Sequence, residues 1–203
     1  KDCKDNFYLK PKPPKTKKIN KKFSNFYLSK IKNKKITINF KNKNKLLLPY
    51  MQMGIPSSLG LFNYHEHNIF LYYLNNFGYY KKAADIGANI GLHSIILSKM
   101  GYKVDVFEPD LDHIKQLKKN LELNKCKNVK IFRNAIFDEK KNVNFTRVLN
   151  NTAANHISGY KENLHGPIKT FQVKTIDIKK IVKKYDLIKL DAEGSEAKII
   201  ERL

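Results

Sequence analysis

Hydrophobic positions change their spacing along this chain, and each change predicts a different element. Residues 36–40 alternate apolar and polar side chains and 45–50 form a second short apolar run, which predicts two strands. From 64 to 77, Ile69, Phe70, Tyr73, Leu74 and Phe77 recur at helical intervals, and Gly78 suits a helix stop. From Lys81 onward, short apolar runs alternate with amphipathic segments. Strands are predicted over 82–86, 103–107, 129–132 and 187–190, with helices over 90–100, 111–124, 176–184 and from Ser195. Gly101 stops the first of these helices and Asp110 caps the second, whose buried stripe is Leu111, Ile114, Leu117 and Leu121. Thr175 is placed to cap the third. Strands separated by helices imply right-handed crossovers, so the expected fold is α/β with a doubly wound parallel sheet.

The pattern divides the chain into 1–35, a basic arm; 36–80, the strand pair and helix; and 81–203, the alternating region, interrupted by an insertion at 142–174. In the insertion, 142–148 and 170–173 read as a strand pair around a long polar loop, which is a functional or a disordered feature in a compact domain. The arm carries Lys10-Pro11-Lys12-Pro13-Pro14-Lys15, where proline removes backbone donors and like charges repel. It reads as a mobile solvated segment.

Charge changes this picture less than its size suggests. The net charge is +22, from 40 Lys and Arg against 18 Asp and Glu. Arg stands only at Arg133, Arg147 and Arg202, and Lys is accompanied by abundant Asn and Ile, as composition bias alone would produce. Recognition of phosphates and base edges favours the planar Arg fork, so nucleic acid is the less favoured partner. No apolar run is long enough to span a bilayer and no signal peptide opens the sequence, so the expected compartment is cytoplasmic. Cys3 and Cys126 fit neither a disulfide framework nor a metal site, and no metal is expected.

The chemistry concentrates at three strand ends. Asp85-Ile86-Gly87-Ala88-Asn89-Ile90-Gly91 joins the first core strand to its helix. Gly87 permits a tight turn and close approach of a ligand, and Gly91 permits close packing of the helix. A dinucleotide fingerprint has glycine where Asp85 stands, because a carboxylate there would repel a pyrophosphate. The same carboxylate suits S-adenosylmethionine, which carries a sulfonium and an ammonium. Glu108, followed by Pro109 and 23 positions after Asp85, ends the next strand, where an acid can accept from ribose hydroxyls. Lys189-Leu190-Asp191-Ala192-Glu193-Gly194-Ser195-Glu196 ends the fourth strand; Lys189 and Asp191 share a face and can pair. Helix capping accounts for one of the three acids there.

The segments DIGANIGLHS, FEPD, RNAIFD, KTID and IKLDAEGSE, in this order, resemble the FkbM family of methyltransferases over 81–203. The resemblance implies the Rossmann-like class I methyltransferase fold, S-adenosylmethionine as donor, and O-methylation of a sugar, polyketide or related small molecule. By position it implies that Asp85, Gly87, Ala88, Asn89 and Gly91 line the methionine half of the cofactor. It places the ribose at Glu108 and Pro109, and the adenine near Asn134 and Ala135. Asp191 and Glu193 would stand beside the transferred methyl and, with Lys189, form the catalytic set.

The family continues with further strands beyond its KLDAEGSE helix, whereas this sequence stops at Leu203 and opens with Lys1. The expectation is a fragment of a longer chain, or a fourth-strand edge covered by a partner. Two other functions compete: a ribose 2′-O-methyltransferase acting on RNA, and a catalytically inactive binding module. Among the histidines, His65 and His67 flank Glu66 without sharing a helix face and read as surface or capping residues. His93 reads as packed against the sheet, and His156 and His165 as solvated. Tyr72, Tyr73, Tyr79 and Tyr80 read as core and rim aromatics.

Overall fold

The computed structural model describes residues 35–39, 45–49, 51–53, 57–58, 60–61, 64–162 and 166–203, with the backbone alone at 35–39, 45, 64, 65 and 67. Residues 1–34 of the basic arm and His165 lie outside the described residues, as do the side chains of His65 and His67.

The centre is a parallel sheet of β3 (Lys82–Ile86), β4 (Lys103–Phe107), β5 (Val129–Phe132) and β10 (Leu187–Leu190), in the order β10-β3-β4-β5. The alternation of strand side chains explains its two covered faces. Ala83, Val104 and Val106 enter one core and Ala84, Ile86 and Phe107 the other. The first core is closed by α2 (Leu92–Met100) and α3 (Leu111–Leu123), the second by α4 (Lys179–Val182) and α5 (Glu196–Glu201). Helices on both faces make the sheet doubly wound. The chain steps from β3 outward to β5 and then returns to the other side of β3. The adjoining ends of β3 and β10 are therefore a topological switch point, where open α/β sheets bind ligands.

Local signals set the helix ends. Asp110 caps α3, its carboxylate accepting from the backbone N–H of Asp112 (2.8 Å) and His113 (3.5 Å). Gly91 and Gly101 bracket α2 in left-handed conformation. One position departs from the predicted stripe of α3: Leu111 is exposed, and His113 and Asn120 join Ile114, Leu117 and Leu121 on the buried face. Leu111 is the first helical residue, before the stripe has turned inward.

The hairpin β1 (Lys35–Asn39) and β2 (Lys45–Pro49) and the helix α1 (Tyr64–Asn76) contribute Leu46, Leu48, Phe70 and Tyr73 to the first core. Asn124, at the end of α3, accepts from Leu47 N (2.8 Å) and donates to Leu47 O (2.7 Å), fixing β2 to that helix.

A second sheet, β6-β9-β7-β8, is built from the insertion and its flanks: β6 (Ala135–Phe137), β7 (Asn142–Val148), β8 (His156–Ile157) and β9 (Ile168–Asp177). The strand predicted at 170–173 is longer, and the helix predicted over 176–184 shrinks to the four residues of α4. Residues 174–177 pair with β6 and β7 instead, so tertiary pairing overrides local helical spacing. Thr175 does not cap; its hydroxyl donates to Glu139 O (2.6 Å) and accepts from Lys141 N (2.8 Å). His156 is buried, not solvated, with Nδ1 2.8 Å from Ala154 O. Among the described residues no helix is long and apolar enough to cross a membrane.

Candidate functional site

The turn after β3 is shaped by its neighbours. Gly87 has φ 72°, and a Cβ there would overlap the carbonyl oxygen of Asp191 on the adjoining strand end, so no other residue fits. Gly87 N donates to Phe107 O (2.9 Å), binding the turn to the end of β4. Asn89 is also left-handed (φ 53°), and its N–H donates to Glu108 Oε2 (2.8 Å). Gly91 lies behind this turn, where a Cβ would overlap Leu117 of α3; the close approach is helix to turn.

Glu108 is buried, and its carboxylate is held by main chain on both oxygens: Asn89 N on Oε2 and Asp110 N on Oε1 (2.9 Å). His113 Nδ1 lies 3.5 Å from Oε1. Burial pulls the His113 pKa down, but Glu108, then Asp110, outweigh it and leave the imidazole above its usual value. Asp110 is itself fully buried and anchors the second sheet. Arg147 of β7 donates from Nε to Oδ2 (2.6 Å) and from Nη2 to Oδ1 (2.5 Å), and its Nη1 reaches Asp112. Asn155 donates to Asp110 Oδ2 (3.0 Å) and accepts from Val148 N (3.0 Å). Hydrogen bonding to Asp110, against some burial, raises the Arg147 pKa further.

The opposite rim is β10. Lys189 lies directly across from Asp85 in the parallel register. Its ammonium sits 3.4 Å from Asp85 Oδ1 and 3.3 Å from Asp191 Oδ2, and donates to Gly87 O (3.1 Å). Burial would discharge this lysine, but Asp85 and Asp191 more than compensate and raise its pKa, so it is an ammonium and no proton acceptor. Asp85 is fully buried and accepts from Ser94 Oγ (2.6 Å). Glu193, in left-handed conformation, is paired with Lys161 of the insertion. Glu196 accounts for the capping share of the acidic run, accepting from Ala192 N (2.5 Å) and Gly194 N (2.8 Å).

Between the two rims opens a cavity of about 320 Å³. Of the predicted residues, Gly87, Ala88, Asn89, Glu108, Pro109 and Ala135 line it on the β3–β4 side, and Lys189, Asp191 and Glu193 on the β10 side. Three predicted residues do not. Asp85 lies beneath Lys189, Gly91 lies behind the turn, and Asn134 donates to Lys174 O (3.1 Å) in the second sheet.

Among the other lining residues, Glu66, His93, His113 and Asn155 carry polar chemistry that sequence reasoning did not assign to the site. His93 Nε2 is 2.8 Å from Glu66 Oε2 and its Nδ1 is 3.0 Å from the hydroxyl of buried Tyr73. Burial, then the charges of Asp85 and Glu66, push that hydroxyl's pKa up, so Tyr73 stays protonated. A signal existed for Glu66 in the His-Glu-His run opening α1; the others sit at ordinary helix and loop positions that only the fold brings together. Among the described residues the lining contains four carboxylates (Glu66, Glu108, Asp191, Glu193) and one ammonium (Lys189), in a chain whose net charge is +22.

A family model described as the methyltransferase FkbM domain matches residues 85–202. No curated protein matches the chain. Among solved structures, the chain is similar to an rRNA methylase from Streptococcus thermophilus at 13% identity and TM-score 0.33, covering 34% of this chain and 39% of that one. It is also similar to a SAM-dependent methyltransferase from Agrobacterium tumefaciens at 11% identity and TM-score 0.38, covering 50% of this chain and 32% of that one. A tRNA (uracil-54, C5)-methyltransferase from Pyrococcus abyssi, in complex with S-adenosyl-L-homocysteine, is similar at 19% identity and TM-score 0.34, covering 48% of this chain and 23% of that one. The chain thus spans less than half the length of each.

Proposed function

Because the chain belongs to the FkbM methyltransferase family, with the Rossmann-like class I fold, we propose that it transfers the methyl group of S-adenosylmethionine to a hydroxyl of a sugar, glycan or other small molecule. The observation that carries this reading is the excess of carboxylates around one cavity at the switch point of a strongly basic chain.

The residues present fit such a cofactor. The bare backbone of Gly87 packs directly on the Asp191 carbonyl and draws the two rims together, and the acidic lining suits a group with two positive centres. When bound, S-adenosylmethionine supplies an electrophilic methyl on a sulfonium. Gly87, Ala88 and Asn89 hold its methionine half, Glu108 and Pro109 its ribose, and Ala135 borders the adenine. Asp85 acts from below, fixing Lys189, and through it Asp191, at the methyl end. Gly91 and Asn134 serve this site through packing and through the second sheet.

Most of the acceleration comes from holding an acceptor oxygen in line with the methyl. The hydroxyl proton goes to Asp191 or Glu193. Lys189 positions Asp191 and stays charged throughout. The acidic lining favours a neutral hydroxylic acceptor over RNA, whose phosphates four carboxylates would repel. Incubation with methyl-labelled S-adenosylmethionine and a panel of glycosides tests the reading, and label in an ether of the acceptor is expected. Turnover and cofactor affinity left intact by both Asp191→Asn and Glu193→Gln would overturn the assignment of the base. Retention of RNA, weakening steeply with salt, would favour the polynucleotide acceptor instead.

A further inference from the structure

His113 has no part in the function proposed above, yet it stands in the wall of the same cavity. Its side chain is only 7% exposed, its Nδ1 lies 3.5 Å from Glu108 Oε1, and its Nε2 is enclosed with no hydrogen-bond partner among the described residues. Buried polar atoms in folded proteins are almost always paired, because an orphaned one costs roughly 1–3 kcal/mol. A histidine serving only to pack α3 would be better replaced by an apolar residue, as Ile114, Leu117 and Leu121 show on the same face. Asn89, which donates its N–H to the other oxygen of Glu108, also carries an enclosed side-chain oxygen without a partner. Two orphaned polar atoms thus flank one carboxylate whose own geometry is fixed by main chain.

We propose that His113 is a second anchor for the nucleoside half of the ligand, its Nε2 hydrogen-bonding a ribose hydroxyl beside the one taken by Glu108. The inference rests on the S-adenosylmethionine reading and adds a residue to it. A hydroxyl suits this position because it both donates and accepts, so it satisfies Nε2 in either protonation state of the ring. An adenine edge, with its fixed donors and acceptors, satisfies only one. The Glu108 contact and the burial of the ring hold the imidazole in place, so little side-chain freedom is lost on binding.

The test is calorimetric titration of the full chain and of His113→Phe with S-adenosylhomocysteine and with its 2′-deoxy and 3′-deoxy analogues. The wild type is expected to bind S-adenosylhomocysteine, and His113→Phe to bind it about 10-fold more weakly, as loss of one hydrogen bond to a buried group implies. That penalty is expected to fall below about 2-fold with one of the deoxy analogues, because the contact is then absent from both proteins. An equal penalty with all three ligands, or none with any, overturns the inference and leaves the cofactor reading standing. A wild type that binds none of them ends the cofactor reading and this inference together. Should His113→Phe fail to fold, the wild type labelled with 15N-histidine serves alone. Saturation with S-adenosylhomocysteine is expected to move the His113 Nε2 resonance, and an unmoved resonance overturns the inference.

Discussion

The two rims of the cavity hold their carboxylates by different means. At the β3–β4 rim, Glu108 is 4% exposed and gripped by backbone N–H groups, and Asp110, two residues on and outside the cavity lining, is 0% exposed and held by backbone N–H groups and the half-buried guanidinium of Arg147. At the β10 rim, Asp191 has 55% and Glu193 30% of its side chain exposed, and each is paired with a lysine. Backbone donors fix a carboxylate to within the precision of the fold, and a water-free setting makes each bond count. A lysine ammonium is a point charge without the fixed fork of a guanidinium, so even where it is itself held, as Lys189 is, it constrains its partner's geometry less and can share it with another cation. On the proposed function, the first rim suits recognition of a constant group and the second a place where charge and acceptor change during a reaction.

The contrast can be broken by substitution, beginning with the turn both rims share. Gly87→Ala forces a side chain into the carbonyl of Asp191 at positive φ, and binding of S-adenosylhomocysteine is expected to fall at least about 100-fold. Calorimetry reads it directly. At the rigid rim, Arg147→Met leaves Asp110 buried without its cation, and urea unfolding should show a loss of about 3 kcal/mol. A loss under 1 kcal/mol would show that the guanidinium is not what holds the second sheet to α3.

Glu108→Gln replaces one accepting oxygen with an NH₂ that faces a backbone donor, so a drop of about 10- to 30-fold in S-adenosylhomocysteine affinity is expected. The smallest effect belongs to the loose rim. Asp191→Asn is expected to weaken S-adenosylmethionine about 5-fold and its product, which lacks the sulfonium charge, by less than 2-fold, because the exposed carboxylate acts by charge. Equal losses for the two ligands would mean that Asp191 acts by shape, and the distinction between the rims would go.

How much of this was legible in the sequence follows the same division. The four strands of the parallel sheet match their predicted spans, since apolar runs bounded by glycine and capping residues encode them locally. Gly87, Glu108 and the Lys189–Asp191 pair were also legible, because strand ends with unusual chemistry stand out against an apolar background. The Arg147–Asp110 clamp was not: 37 residues separate its partners, and β7 reads only as one strand of a hairpin. Nor was the burial of Asp85 under Lys189, which depends on a register between strands more than 100 residues apart. The helix expected over 176–184 is shortened to Lys179–Val182 because β6, invisible as a three-residue strand, pairs with the residues at its start. His113 occupies an ordinary helical position and His93 reads only as a packed residue, and the folded cavity alone shows that both line it.

On the proposed function, a basic chain keeps an acidic cavity at its switch point for a sulfonium cofactor. Titration of the purified full chain with S-adenosylmethionine, read by calorimetry and by thermal shift, tests it most directly. One equivalent bound per chain, displaced by S-adenosylhomocysteine and abolished by Gly87→Ala, is the predicted result. Absence of both heat and thermal shift across millimolar ligand would contradict it.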